Sequence, residues 1–260
     1  MIRKKYELVA SDKINYFRIK ALISFADVEI GDIGGYVKSE ANLSQEGDCW
    51  IYDDSIVADK ARVRGNAKVK YSSLIKDQAV VFEQALVVNS CISDSAAVTR
   101  SATVVSSTLN DDCRVSGSSF VFESQINDDV IIQDNARVFN SMLYHNTWVF
   151  NNAFVSNIVI NSIDVSIGNY RAFTPDTKYC ILDFNDFKAT VYFDKDQNRF
   201  IVAFNKQTLP LSEFASMFLT FSGYTDLLPK LLSILQQEQV DISQVEDFDD
   251  LSCNDYGPML

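Results

Sequence analysis

The chain has 260 residues, 47% of them hydrophobic, and a formal net charge of -12. That length supports one elongated domain with appendages, or two domains, around a sizeable core. The negative balance argues against direct nucleic-acid binding through phosphate contacts and fits a soluble cytoplasmic protein or one that meets a basic partner, while no apolar run approaches the ~20 residues of a membrane span.

Residues 1–47 read as an N-terminal cap. The opening MIRKKYELVASDK has basic residues but no apolar stretch of the kind a secretory signal carries. Lys5 to Val9 and Tyr16 to Phe25 are predicted strands, and Gly31, Gly34 and Gly35 are predicted turns.

Residues 48–163 carry a repeat. Val57, Val63, Val69, Ile75, Val81 and Val87 are spaced by six; the steps then cycle through five, six and six to Ile160, giving 19 positions that are all Val, Ile or Leu. The residue two before each is small, as at Ala61, Ser73, Ala85, Ala102 and Ser141, with Val130 and Ile158 as the exceptions. A helix cannot follow a six-residue period. Three short strands per triangular coil can, because each points one β-branched residue inward and leaves room only for a small side chain near the corner. Corners follow two residues after each core position, at Asp59-Lys60, Gly65-Asn66, Asp94-Ser95, Asp111-Asp112, Asp128-Asp129 and His145-Asn146. Those residue types tolerate positive φ or hydrogen-bond their own backbone. Once per coil the corner shrinks to one residue, at Asn89, Ser106, Glu123, Asn140 and Asn157, so coils are 17 or 18 residues long. The fold class expected is mostly β: a single-stranded left-handed parallel β-helix with a small C-terminal α/β domain.

The segment SFADVEIGDIGGYVKSEANLSQEGDCWIYDDSIV, residues 24–57, precedes and enters the first coil. It resembles the YdcK-like bacterial and prophage proteins, which carry a closely similar GGWV…NLSQ.GDCWIYD segment ahead of hexapeptide repeats. The resemblance covers roughly residues 17–165. Members are usually labelled acyltransferases by analogy of fold, so the resemblance implies a β-helix and, with less force, acyl transfer. It places no catalytic residue on this sequence.

Residues 164–240 leave the period and read as a small α/β domain. Tyr179 to Phe184, Ala189 to Phe193 and Arg199 to Phe204 are predicted strands, with a hairpin turn over Asp194 to Asn198. Ser212 and Thr225 are predicted to open two helices, the second containing Leu227, Leu228, Leu231, Leu232 and Leu235. Residues 241–260 form an acidic tail, expected to be disordered and solvated, or else to dock a basic partner. The cysteines, Cys49, Cys91, Cys113, Cys180 and Cys253, form no CxxC pair and read as reduced thiols.

Three features can carry function. His145 is the one histidine of the chain. Hexapeptide acyltransferases commonly use a histidine as general base on a hydroxyl or amine that attacks a thioester, so acyl-CoA is the cofactor implied if this chain is an enzyme, and none is implied otherwise. His145 also sits at a corner, where a plain polar turn residue is expected anyway, and no loop interrupts the repeat to cover a groove. Asp111, Asp112, Asp128 and Asp129 stack four carboxylates one coil apart, a candidate calcium or magnesium site against the simpler reading of screened turn residues. Finally, Leu86, Val88, Val105, Phe120, Phe122, Phe139 and Phe154 flank the core positions of one face and point outward. An apolar strip of that kind calls for a cover: three copies about a threefold axis, the C-terminal domain folded back, or another protein. The sequence thus leaves a non-catalytic binding or assembly protein, an acyltransferase using His145, and an acidic inhibitor that imitates nucleic acid as competing readings.

Overall fold

The computed structural model describes residues 4–161, 165–168, 173–184, 187–194, 199–204, 207–211 and 213–214. Within them the chain is nearly all β and forms the left-handed parallel β-helix expected from the repeat. Each coil contributes one short strand to each of three faces. The aromatic face stacks Leu86–Val88, Thr103–Val105, Phe120–Phe122, Arg137–Phe139 and Phe154–Ser156. The asparagine face stacks Cys91–Ile92, Thr108–Leu109, Gln125–Ile126 and Met142–Leu143. The third face stacks Ala97–Val98, Arg114–Val115, Ile131–Ile132 and Trp148–Phe150.

All pairing between coils is parallel and in register: Val87 lies on Val104, then on Val121, Val138 and Val155. Each of these is 0% exposed. A strand of two or three residues has one inward position, and a β-branched side chain fills it while packing on its copies one coil away. At the corners the chain enters the left-handed region: Asp94 (φ 55°), Asp111 (59°), Asp128 (55°) and His145 (58°) on one edge, and Asn89 (47°), Glu123 (47°) and Asn140 (45°) on the tight edge. The first coil needs two such residues, Tyr71 and Ser72 (φ 54° and 55°), where later coils use one. That single deletion changes the stacking interval from 18 to 17 residues.

The tight edge explains a pattern that size alone does not. Its inward small residue is serine in coil after coil: Ser73, Ser90, Ser107, Ser124 and Ser141, none more than 4% exposed. The hydroxyl of each accepts the backbone N–H of its counterpart in the following coil, as Ser107 Oγ does from Ser124 N (3.0 Å), and donates to a carbonyl two residues back, as to Val105 O (2.7 Å), or three back at Ser73. The other edges need no such help and carry mostly alanine.

Both ends are capped. Tyr6–Ala10, Phe17–Ala21 and Ile33–Val37 form an antiparallel extension whose last strand runs onto the first coil at Tyr36 and Val37. The second predicted strand ends at Ala21 rather than Phe25, and Gly34 and Gly35 sit inside a strand rather than at turns. They are glycine because a Cβ there would lie 2.6 Å from Ile51 O and 2.4 Å from Ser55 O. Gly31, at φ 95°, is a turn. Lys5 closes the mouth of the prism: its Nζ donates to Gly47 O (2.9 Å) and Cys49 O (3.0 Å) and touches Cys49 Sγ (3.3 Å). Burial pushes the amine down and the thiol up from their ordinary values.

At the other end, Tyr179–Phe184, Phe187–Asp194, Arg199–Phe204 and Gln207–Pro210 form an antiparallel sheet, the last strand unanticipated by the sequence reading. It packs on the final coil: Ser166 N donates to Thr190 Oγ1 (2.7 Å), and Tyr192 and Ile201 join the core of the prism. The predicted hairpin is present, with its turn at 195–198 outside the described residues, as are Ser212, the helix from Thr225 and the acidic tail. Cys49, Cys91 and Cys113 are free thiols; Cys253 lies outside the described residues. Among the described residues no helix is long and apolar enough to cross a membrane.

If the serine hydroxyls support the tight edge, Ser107→Ala strands the Ser124 N–H and lowers stability by about 1–3 kcal/mol in urea unfolding, the usual cost of an unpaired buried donor. Ser118→Ala, at an exposed corner, is the control and leaves the midpoint unchanged.

Candidate functional site

The strict register turns single outward residues into columns. On the aromatic face the column pairs Phe120 with Arg137 and Phe122 with Phe139, and Phe154 follows. The rings contact one another at centroid separations of 5.5 Å (Phe120–Phe139), 6.1 Å (Phe122–Phe139) and 5.3 Å (Phe139–Phe154). Leu86, Val88, Val105 and these rings are all partly buried in the single chain. The strip is therefore contiguous over five coils, and its rings shield one another.

Its upper end is closed by the cap. The loop after Ala21 lays Phe25 against Trp50 (5.5 Å) and brings Asp27 to the Tyr52 hydroxyl (2.7 Å) and Lys68 Nζ (2.6 Å). Lys70 Nζ lies 4.1 Å from the centre of the Tyr52 ring. The bond from Lys68, then that from Tyr52, pulls the Asp27 carboxyl down to about 2. The lower end carries Arg137, exposed and without an ion pair among the described residues. The Asp27 clasp was not legible in the sequence, since Asp27 lies 41 residues from Lys68.

The chain runs from the aromatic face round the tight edge to the asparagine face, then round the acidic edge to the third face. The acidic edge is thus the vertex opposite the aromatic face, and His145 belongs to it. Each aspartate there accepts the backbone N–H of its counterpart in the next coil: Asp128 N donates to Asp111 Oδ2 (3.1 Å) and His145 N to Asp128 Oδ2 (2.8 Å). His145 is the last of this column among the described residues, and its Nδ1 stands 3.4 Å from the same Asp128 oxygen, with both side chains about two-fifths exposed (41% and 42%). No carboxylate neighbours His145 in the sequence, between Tyr144 and Asn146; one arrives from the preceding coil, 17 residues back. Asp112 and Asp129 are exposed. Among the described residues no three His, Cys, Asp or Glu side chains gather into a cation site. The asparagine face has its own side-chain chain, Ser93 Oγ to Asn110 Oδ1 (2.7 Å) and Asn110 Nδ2 to Asn127 Oδ1 (2.9 Å).

No protein-family model matches the chain. It is 46% identical over 41 residues to a protein described as uncharacterized acetyltransferase YdcK from Escherichia coli (strain K12). That stretch is 16% of this chain and covers only 13% of the relative's length.

Two outcomes test this geometry. The Asp27 clasp has a depressed carboxyl, so its contribution is present above the ordinary carboxylate value of ~4 and is lost as pH falls toward about 2. Trp50 fluorescence, followed in a Trp148→Phe background, should therefore change between those values, and Asp27→Asn should show the released signal already at neutral pH. At the opposite vertex His145→Asn should leave the urea midpoint unchanged, because asparagine accepts the left-handed conformation, while His145→Val should lose about 1–2 kcal/mol.

Proposed function

We propose that the chain is a non-catalytic assembly protein, a rigid β-helical rod that associates through its aromatic face. The observation that supports this is the contiguous strip of Leu86, Val88, Val105, Phe120, Phe122, Phe139 and Phe154 along one face of the prism. Soluble chains seldom leave such a strip uncovered, and aromatic residues interleaved with an arginine are the composition of interface centres. The described C-terminal strands pack on the end coil, through Ser166–Gly168 and through Phe173, which pairs with Val155. Copies of the same chain are the cover this reading assigns.

A second reading, an acyl-CoA-dependent acyltransferase, is favoured by one observation: His145 stands against Asp128, an arrangement suited to orienting a general base. The short match to a protein described as an acetyltransferase points the same way. The two readings place their work on opposite sides of the prism. If copies meet through the aromatic face, His145 lies on the outermost vertex, away from any groove between copies.

Native mass of the full chain, with and without a panel of acyl-CoAs, separates them. The assembly reading expects an oligomer that retains no acyl-CoA, and that Phe122→Asp with Phe139→Asp reduces to monomer without unfolding. A retained acyl-CoA that His145→Ala abolishes would replace this reading with the enzyme, and unchanged mass in the double variant would remove the aromatic face from the account.

A further inference from the structure

We propose that the second copy docks end for end, about a twofold axis lying across the aromatic strip, so that the Leu22–Asp32 loop of each chain covers the Arg137 end of the other. This rests on the assembly reading above and adds its geometry.

The loop is the reason. It lies outside Trp50 and Tyr52, with Phe25 on one ring and Asp27 bonded to the other hydroxyl, so it stands above the level of the strand side chains. Copies arranged with parallel prisms, about a twofold or a threefold axis, would meet at equal coil levels. Their loops would then collide at one end and wedge the strips apart below. Turned end for end, each loop passes onto the partner's far end, clear of the other loop.

Charge fits the same arrangement. Arg137 is an exposed cation at the lower end with no ion pair among the described residues. The loop carries Asp27, already clasped by Lys68, and Asp32, which accepts the Glu29 N–H (2.8 Å). Glu29 and Asp32 are both exposed and without an ion pair among the described residues, and of the two only Asp32 has an oxygen committed to a backbone N–H. Beside Glu29, Ile30 is 66% exposed, an apolar group suited to Phe139 and Phe154. Like-charged loop ends would face each other in a parallel arrangement; here a carboxylate meets a guanidinium twice, as an isologous contact requires. Area argues alike. Five coils by one three-residue strand make a strip of roughly 24 by 10 Å. That alone falls well short of the ~800 Å² per partner of a stable interface. Two loops, one at each end, extend it.

Both residues are exposed, so their variants keep the fold, which a thermal melt checks. The experiment measures native mass against concentration for the full chain, for Glu29→Arg, for Arg137→Glu and for the two together. The expected result is a dimer, weakened several-fold by each single reversal and restored by the double exchange. A trimer, or a dimer indifferent to both reversals, overturns the end-for-end geometry and leaves self-association standing. A wild-type monomer at every concentration overturns both.

Discussion

The tight edge is the constraint from which the rest of this molecule follows. Turning this edge leaves the next backbone N–H inside the prism, and a serine hydroxyl from the preceding coil accepts it, after the two-residue corner before Ser73 as after the one-residue corners that follow. The contact requires consecutive coils to lie directly superposed, 18 residues apart from Ser55 to Ser73 and 17 thereafter. Every inward position then falls on an inward position, so one valine or isoleucine per strand suffices for a continuous core. Every outward position falls on an outward one too. The aromatic strip, the aspartate column and the asparagine chain are consequences of the same register rather than separate designs.

A column of identical corners has two readings that only coordinates distinguish. Stacked aspartates suggest a cation when read as charges, because four carboxylates in reach of one another repel. In the structure the inner pair, Asp111 and Asp128, spend an oxygen on the backbone N–H of the coil that follows. His145 occupies one more step of that column. Its pairing with Asp128 is the local geometry that supports acyl transfer, and its place at the vertex opposite the aromatic face is what separates that chemistry from assembly.

Much of this was legible in the sequence because the physics is local and periodic. The six-residue spacing from Val57 to Ile160 dictates three strands per coil, and each corner residue at positive φ stands where the spacing puts it. What was not legible depends on approach in space. Gly34 and Gly35 look like turn residues and are instead needed where Ile51 and Ser55 carbonyls come too close for a Cβ. The serines at the tight edge pass for merely small residues until their hydroxyl partners are seen. Asp128 is distant from His145 in sequence and adjacent to it one coil away, and the Asp27 clasp joins an irregular loop to Lys68 with no periodic signal to announce it.

The central claim is that the aromatic face is buried between copies. Hydroxyl-radical labelling of Phe120, Phe122, Phe139 and Phe154, read residue by residue across a dilution series, tests it most directly. The account predicts rings that are protected at high protein concentration and become labelled on dilution, while Tyr71, exposed off the strip, reacts equally throughout. Ring labelling that does not change with concentration, in a chain that associates over the same range, would contradict it.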